Sequence, residues 1–247
     1  MAAANLPQVK VNPRRARRMF EGMGTLAKTD KVDAAMLAKM GSLLKLSPRP
    51  VPSPIHNDLK DLHLARAALV KDRTAAKNRA KAFSIPLLKR QNAERLKQIE
   101  RQMQAIEAEI IAIIQVDAQL AANFSILTSI PGFSTIIGFS LIIDMPELGR
   151  LETNQAAALA GLAPMTRQSG KWRGQAFIAG GRANIRRALY MPALGATRFN
   201  PDLKAKYDQL RAKGKPPKVA ITAVMRKLIV LANARLKAHR YWAPKMA

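Results

Sequence analysis

The chain of 247 residues contains no cysteine, and that absence excludes disulfide bonds and thiolate metal sites. Histidine is almost as rare, since only three occur, and His56, His63 and His239 have no spacing typical of a zinc site. We therefore expect neither a disulfide scaffold nor a zinc centre. A chain without cysteine is compatible with a reducing compartment.

Long apolar segments are also lacking. The longest apolar stretch considered, residues 125–143, is interrupted by Pro131-Gly132 and contains several serines. A helix that crosses a bilayer needs about 20 predominantly apolar residues. The first residues also lack the basic and apolar regions of a secretory signal. The sequence therefore predicts neither a membrane segment nor secretion.

Acidic residues are few beside an excess of basic ones. Asp and Glu number 16 and Lys and Arg number 42, which gives a formal net charge of +26 and a pI near 11.2. Such an excess repels itself in a compact fold unless a polyanion neutralises it. Because the cations are spread along the chain rather than gathered on one amphipathic helix, nucleic acid is a better expected partner than a membrane surface.

Proline is concentrated in residues 47–54, a stretch that neither a helix nor a central strand can cross. We place a linker at residues 47–56, between an N-terminal segment, residues 1–46, and helical sequence that resumes at Asn57. The N-terminal segment begins with a short extended stretch that ends at Val11. Because one strand cannot form a sheet alone, this segment is predicted to belong to a larger domain.

Residues 57–120 carry two heptad patterns with a break near Ser84-Ile85-Pro86. The first pattern repeats every seven residues, at Leu62, Leu69, Ala76 and Phe83. The second alternates steps of three and four, at Leu96, Ile99, Met103, Ile106, Ile110 and Ile113. Such spacing is typical of coiled-coil helices. The pattern fits an intramolecular hairpin and a contact between subunits equally well.

Residues 121–240 are predicted to form an α-rich C-terminal domain. It opens with Leu127-x-x-Ile130-Pro131-Gly132-Phe133, a tight turn between two short apolar helices that is similar to a helix-hairpin-helix. The exposed amides of such a turn, here at Gly132, can hold a DNA phosphate without reading bases. An ordinary packed helix pair is the alternative.

One hydroxyl, Ser169, lies between glycines in what we expect to be a flexible basic loop. Six cations surround it in sequence: Arg167, Lys171, Arg173, Arg182, Arg186 and Arg187. Fixed cations suit a phosphoryl-transfer nucleophile, because the charge of the phosphodiester must be neutralised before an alkoxide can approach it. The same composition also suits phosphate contact without chemistry. Trp172 in this loop is expected either to stack on a base or to pack in the core.

Two carboxylates, Asp30 and Asp33, occur where a helix is predicted to begin, with Thr29 or Asp30 as its cap. Residues three apart are neighbours on a helix, so the pair is close enough to share a divalent cation. The alternative is structural: Asp30 caps the helix and Asp33 complements its dipole.

Several segments within residues 125–239 resemble the C-terminal transposase domain of the insertion sequence 110/116/902 family. They are residues 159–164, Gln168-Ser169-Gly170, residues 178–190 and residues 218–231. In that family a serine in this loop is thought to be the nucleophile that attacks DNA, and the match falls on Ser169. The resemblance implies a transposase or recombinase that acts on double-stranded DNA through a phosphoserine link. It also implies a structured RNA, transcribed from the element, that chooses the DNA sites.

The segment Lys28-Thr29-Asp30-x-x-Asp33-Ala34 is similar to the end of the family's RuvC-like (RNase H-like) α/β domain. By resemblance, Asp30 and Asp33 are two of four carboxylates that bind Mg²⁺, and the other two would precede residue 1. The resemblance therefore implies an N-terminally truncated chain that holds Mg²⁺ weakly. Family members are thought to assemble through helices like those of residues 57–120, so a homo-oligomer, dimer or tetramer, in the bacterial cytoplasm at the nucleoid is expected.

The expected fold is mainly α: the end of a RuvC-like domain, a coiled-coil hairpin and an α-rich transposase domain. The rival functional hypothesis is a catalytically inactive remnant that binds DNA or RNA and oligomerises. A helix-hairpin-helix repair or junction factor is a third hypothesis, but it leaves the Ser169 loop unexplained.

Overall fold

The computed structural model describes residue 9 and residues 11–46 and 53–243. These residues form eleven α-helices and four two-residue β-strands, which confirms the predicted mainly α fold. The chain divides into two compact units, residues 1–54 and residues 55–247. The extended stretch predicted before residue 12 and the linker at residues 47–56 fall largely outside the described residues. The domain limits and the RuvC-like origin of the first unit stay predictions.

The first unit contains two helices, α1 (Pro13–Gly22) and α2 (Asp30–Leu44). Asn12 caps α1, since its Oδ1 accepts the backbone N–H of Arg14 at 2.9 Å. Thr29 caps α2 by accepting the N–H of Val32 at 3.3 Å, so Asp30 is the first helical residue and not the cap. The helices meet in a small apolar cluster. Its buried members are Ala16, Phe20 and Met40.

The second unit begins with a helical hairpin, α3 (Pro54–Ala82) and α4 (Pro86–Val116). The buried Asn92 donates from Nδ2 to the Ala76 carbonyl at 3.1 Å, near the bend. Farther from the bend, Arg66 Nε lies 2.7 Å from Glu107 Oε1. These contacts show that the helices fold back on each other within one chain, as the first of the two expected arrangements predicts. A contact between subunits through these helices stays a prediction. Their coiled-coil character stays a prediction.

The remaining seven helices form a bundle. They are α5 (Ala118–Thr128), α6 (Thr135–Asp144), α7 (Thr153–Leu159), α8 (Ala183–Ala188), α9 (Tyr190–Phe199), α10 (Pro201–Ala212) and α11 (Pro217–Lys237). The central helix α11 packs against α5, α7, α9 and α10. Its buried stripe of Val224, Leu228 and Ala232 repeats every four residues, as the inward face of a helix requires. Leu59 and Ile110 from the helical hairpin join the same core.

The tight turn predicted around Gly132 joins α5 to α6, but its identity as a helix-hairpin-helix stays a prediction. No single helix among the described residues has both the length and the apolar character to cross a membrane; α4 and α5 pass that test only as a pair bent by 119°.

The segment between α7 and α8, which we expected to be a flexible loop, is instead a small β-hairpin. Its strands are β1 (Pro164–Met165), β2 (Gln168–Ser169), β3 (Trp172–Arg173) and β4 (Phe177–Ile178). β1 pairs with β4 and β2 pairs with β3, both antiparallel, so one pair nests within the other. Short-range pairing between strands that lie on both sides of Gly170 holds this segment in a hairpin.

Candidate nucleophile and nucleic-acid interface

The β-hairpin places Ser169 beside its tip. Ser169 pairs with Trp172 and Gln168 pairs with Arg173, which leaves Gly170 and Lys171 as the two-residue turn. Gly170 has φ +55°, the left-handed conformation that such turns need. Residues opposite each other project on the same side of a β-ladder, so Ser169 shares a face with Trp172, and Arg173 lies on the other face.

The Ser169 side chain is exposed, and its Oγ makes no hydrogen bond within the described part of the chain. Trp172 is also open to solvent, with 59% of its surface exposed, so the expectation that it packs in the core is wrong. Its ring covers Gly174, where an added Cβ would lie 2.3 Å from Trp172 Cη2. A hydroxyl and an indole thus stand together on one accessible face.

Three cations belong to the hairpin itself. The guanidinium Cζ of Arg167 lies 4.7 Å from the centre of the Phe177 ring, a cation–π contact that holds the side chain in place. Lys171 is in the tip turn, and neither Lys171 nor Arg173 has an ion-pair partner among the described residues. Residues 161–181 contain no Asp, Glu or His. The tip is therefore positively charged and contains no carboxylate or imidazole that could act as a general base.

Glycines close the neck of the hairpin, where its two arms leave the bundle. Gly161, Gly180 and Gly181 all have positive φ, at +69°, +68° and +62°. A Cβ on Gly181 would lie 2.4 Å from Gly161 Cα, so the two arms touch backbone to backbone. The N–H of Arg182 donates to the carbonyl of Leu159 at 2.8 Å just below this contact.

The other three predicted cations lie at this neck and bind protein groups. Arg182 forms a bidentate pair with Glu147, with both N–O distances 2.6 Å. These hydrogen bonds raise the pKa of Arg182 despite its partial burial. Arg186 Nη1 donates to the carbonyls of Gly180 at 2.9 Å and Gly161 at 3.3 Å. Arg187 Nη2 donates to Asn184 Oδ1.

The six cations therefore do not form one ring around the hydroxyl. The arm from Pro164 to Ser169 covers five residue steps, roughly 17 Å at the rise of a strand. Arg167, Lys171 and Arg173 remain with Ser169, whereas Arg182, Arg186 and Arg187 brace the neck. Contact of these neck arginines with nucleic acid stays a prediction.

Glu147 is the residue of this site that the sequence reasoning missed. It lies in the turn between α6 and α7, which the buried Asn233 fixes by accepting the N–H of Gly149 at 2.8 Å and donating to the carbonyl of Leu151 at 2.7 Å. The available signal was an acidic residue in a domain with very few of them.

Gly132 lies in the turn between α5 and α6 with φ +91°. A Cβ there would be 3.3 Å from the Pro192 carbonyl oxygen of α9, so the turn rests on that helix. Gly132 is itself exposed. Its conformation and this close approach explain the glycine without any ligand, and its phosphate contact stays a prediction.

Asp30 and Asp33 lie in the first turn of α2, where Asp30 is exposed and Asp33 is half-buried. The N–H of Asp33 donates to the carbonyl of Thr29 at 2.8 Å. The described residues include no group of three His, Asp or Glu side chains able to hold a metal ion. Mg²⁺ requires near-octahedral oxygen coordination. These two carboxylates alone do not supply it.

Comparison with known proteins identifies the class to which this arrangement belongs. Residues 124–208 match the model of the transposase IS116/IS110/IS902 family, and residues 1–88 match a second transposase model, of the IS110 group. The chain is 28% identical to the pilin gene-inverting proteins of Moraxella bovis and Moraxella lacunata over 242 residues, 93% of this chain and 72% of each relative. A protein of insertion element IS110 from Streptomyces coelicolor is 28% identical over 156 residues, 62% of this chain and 38% of that protein.

The class is that of insertion-sequence transposases and recombinases, and its two models match separate parts of the chain. One match includes α3, and the other begins within α5. The chain belongs to the IS110/IS116/IS902 transposase family. Membership implies DNA binding. The β-hairpin with Ser169 lies inside the region matched by the first model.

Proposed function

We propose that this protein exchanges DNA strands through Ser169 as the nucleophile. The observation that carries the proposal is an exposed serine hydroxyl, without an internal hydrogen-bond partner among the described residues, beside the tip of a cationic hairpin. That hairpin contains no acidic residue that would repel a phosphodiester. A nucleophile on a projecting hairpin can reach a phosphorus atom in a duplex without the bundle entering a groove.

The proposed reaction is a transesterification that conserves the number of phosphodiester bonds. Ser169 Oγ forms a bond to phosphorus, and the bond from phosphorus to one bridging DNA oxygen breaks. The proton of the serine leaves with a base and a proton is returned to the departing oxygen, which gives a phosphoserine link and a free DNA hydroxyl. Attack by a hydroxyl of the second strand reverses the step and releases the serine. Lys171 and Arg167 offset the charge that develops on the non-bridging oxygens.

We propose that the proton acceptor lies outside the hairpin, because residues 161–181 contain no Asp, Glu or His. We propose that Asp30 and Asp33 act in catalysis only as members of a larger carboxylate set that binds Mg²⁺. Since this pair does not hold the ion by itself, no step of the reaction is assigned to the metal.

The proposed partners are double-stranded DNA and a structured RNA, both polyanions that suit a net charge of +26. A homo-oligomer, dimer or tetramer, is proposed as well. Ile99, Met103 and Ile110 are already buried within one chain, so a contact between subunits would use other surfaces of the helical hairpin. Action on chromosomal DNA would place the protein at the bacterial nucleoid.

The test is a search for a covalent protein–DNA adduct on denaturing gels, with DNA that carries the ends of the element and with its transcript present. Wild-type protein should form the adduct, and Ser169→Ala should not, while its DNA affinity changes by less than about twofold. Thr166→Ala, which removes the other hydroxyl of the same hairpin, is the matched control and should keep the adduct.

An adduct formed by Ser169→Ala would overturn the proposed nucleophile. Wild-type protein that binds DNA and RNA tightly but forms no adduct would favour the rival hypothesis, a binding and oligomerising protein without catalysis.

A further inference from the structure

A cavity of about 630 Å³ lies in the second unit, away from the β-hairpin, between α10, α11, the start of α7 and the segment after α11. Its floor is apolar, with Leu203, Val230 and Leu231 among its lining residues. Its volume lies within the range of small-molecule sites, about 300–1,000 Å³. Nothing in the proposed strand-exchange step uses this cavity.

Four cations line the cavity: Lys206, Arg226, Lys227 and Arg235. None of them forms an ion pair within the described part of the chain. Their hydrogen-bond partners are neutral, as where Arg226 Nη2 donates to Asn154 Oδ1 at 3.4 Å and Lys206 Nζ donates to Gln209 Oε1 at 3.0 Å. The single acidic lining residue, Asp202, leaves the rim positively charged.

The indole of Trp242 forms one wall of the cavity, because the chain reverses direction after α11. His239 has φ +49°, and its N–H donates to the carbonyl of Leu236 while the N–H of Arg240 donates to that of Arg235. These two bonds form a Schellman motif, which turns the chain back along the helix. The N–H of Trp242 then donates to Ser129 Oγ at 2.9 Å, which fixes the backbone that carries the indole.

An apolar floor, an aromatic wall and a cationic rim together match one ligand chemistry, a flat base attached to phosphates. Stacking of a base on an aromatic side chain is favourable for any base, and lysine or arginine at the rim neutralises the flanking phosphates. A second copy of this chain fits less well, because it brings the same net charge of +26 to a cationic rim.

We infer that this cavity receives a single unpaired nucleotide of a bound nucleic acid, with its base against Trp242 and its phosphates on the cations of the rim. The inference rests on the proposed function, since strand exchange requires nucleotides to leave a duplex. The cavity holds a displaced nucleotide while Ser169 acts elsewhere on the strand.

The experiment compares the affinity of the full chain for three duplexes by fluorescence anisotropy at 0.15 M salt. One is perfectly paired, one carries a single-nucleotide bulge, and one carries an abasic bulge. Wild-type protein should bind the nucleotide bulge about 10-fold more tightly than the perfect duplex, because the unpaired base can stack on the indole. The abasic bulge should lose this preference.

Trp242→Ala should abolish the preference, and Trp242→Phe should keep most of it. Because loss of an indole can disturb folding, Ala234→Leu provides a second variant: it fills the cavity without removing any side chain from the core. The matched control is Tyr241→Ala, which removes a neighbouring aromatic side chain that is 61% exposed and is not among the cavity's lining residues. It should keep the full preference.

Equal affinity for all three duplexes, or a preference that survives in both Trp242→Ala and Ala234→Leu, would overturn the inference while leaving DNA binding and the role of Ser169 intact. If the abasic bulge raises the affinity as much as the nucleotide bulge does, the protein recognises a kink or a phosphate instead of a base, and the inference is wrong. If Trp242→Ala leaves the preference unchanged and instead lowers the oligomeric mass in sedimentation, the cavity belongs to a contact between copies. Failure to bind any duplex would count against the proposed function itself.

Discussion

Replacing Gly181 with alanine tests whether direct backbone contact closes the neck of the β-hairpin. Gly180 and Gly181 are adjacent and have nearly equal φ, +68° and +62°. An added Cβ at Gly180 meets nothing within 4 Å, whereas at Gly181 it would lie 2.2 Å from the Gly161 nitrogen. The two alanine variants therefore share the conformational strain and differ in the contact alone.

The expected magnitudes follow from that difference. A non-glycine residue in the left-handed region costs about 1–2 kcal/mol, and the lower entropy of the unfolded alanine chain returns about half of that. Gly180→Ala should thus lower the free energy of unfolding by about 1 kcal/mol. Gly181→Ala adds an overlap with rigid backbone, comparable to overpacking at about 1–3 kcal/mol, and should lower it by about 2–4 kcal/mol in total.

The assay is urea unfolding of both variants, with amide hydrogen exchange at Arg182, whose N–H donates to Leu159 across the neck. If the strain is relieved by local opening, exchange at Arg182 will accelerate in Gly181→Ala even where the global change is small. Equal stability of the two variants within about 0.5 kcal/mol, together with unchanged exchange at Arg182, would refute a neck closed by backbone contact.

Three further predictions concern charge and conformation elsewhere in the chain. Arg182→Gln removes the partly exposed bidentate pair with Glu147 and should lower the free energy of unfolding by about 1 kcal/mol at low salt and by less at 1 M salt. Lys237→Gln, which removes an exposed ion pair, should change the free energy of unfolding by less than about 0.5 kcal/mol. Equal losses in the two variants would contradict this prediction. Burial, and secondarily Lys60, lower the pKa of His56 below 6.5, so the unfolded chain binds a proton more readily than the folded chain and stability should fall as the pH drops below 6.5. His56→Gln should flatten this dependence of stability on pH in urea titrations between pH 7.5 and 5.5. An unchanged slope in the variant would count against the prediction. His239→Gly should relieve the backbone strain of a non-glycine residue in the left-handed region and stabilise the protein by about 0.5–1 kcal/mol in thermal unfolding. His239→Val should destabilise the protein. The same Tm for both variants would rule out strain at this position.

Much of the local structure follows from the sequence because it depends on near neighbours. Helix caps such as Asn200 before Pro201, and the basic stretch around Ser169, are local features. Glu152 precedes α7 as its N-cap in a similarly local way, since its N–H donates to Gln155 Oε1 at 3.0 Å.

The sequence by itself determined the helical class, the heptad pattern, the cationic character and the occurrence of Ser169 among cations, since composition and periodicity encode these properties directly. Only the tertiary structure decided how the cations divide. Arg182 binds Glu147 and Arg186 donates to carbonyl groups of the neck, whereas Lys171 lies at the tip with Ser169. The reason is physical. Spacing along the chain shows which charges are close to a hydroxyl in sequence, but a hairpin places the residues of its neck far from those of its tip. A partner such as Glu147 lies in a turn distant in sequence, and only tertiary packing brings it close to Arg182.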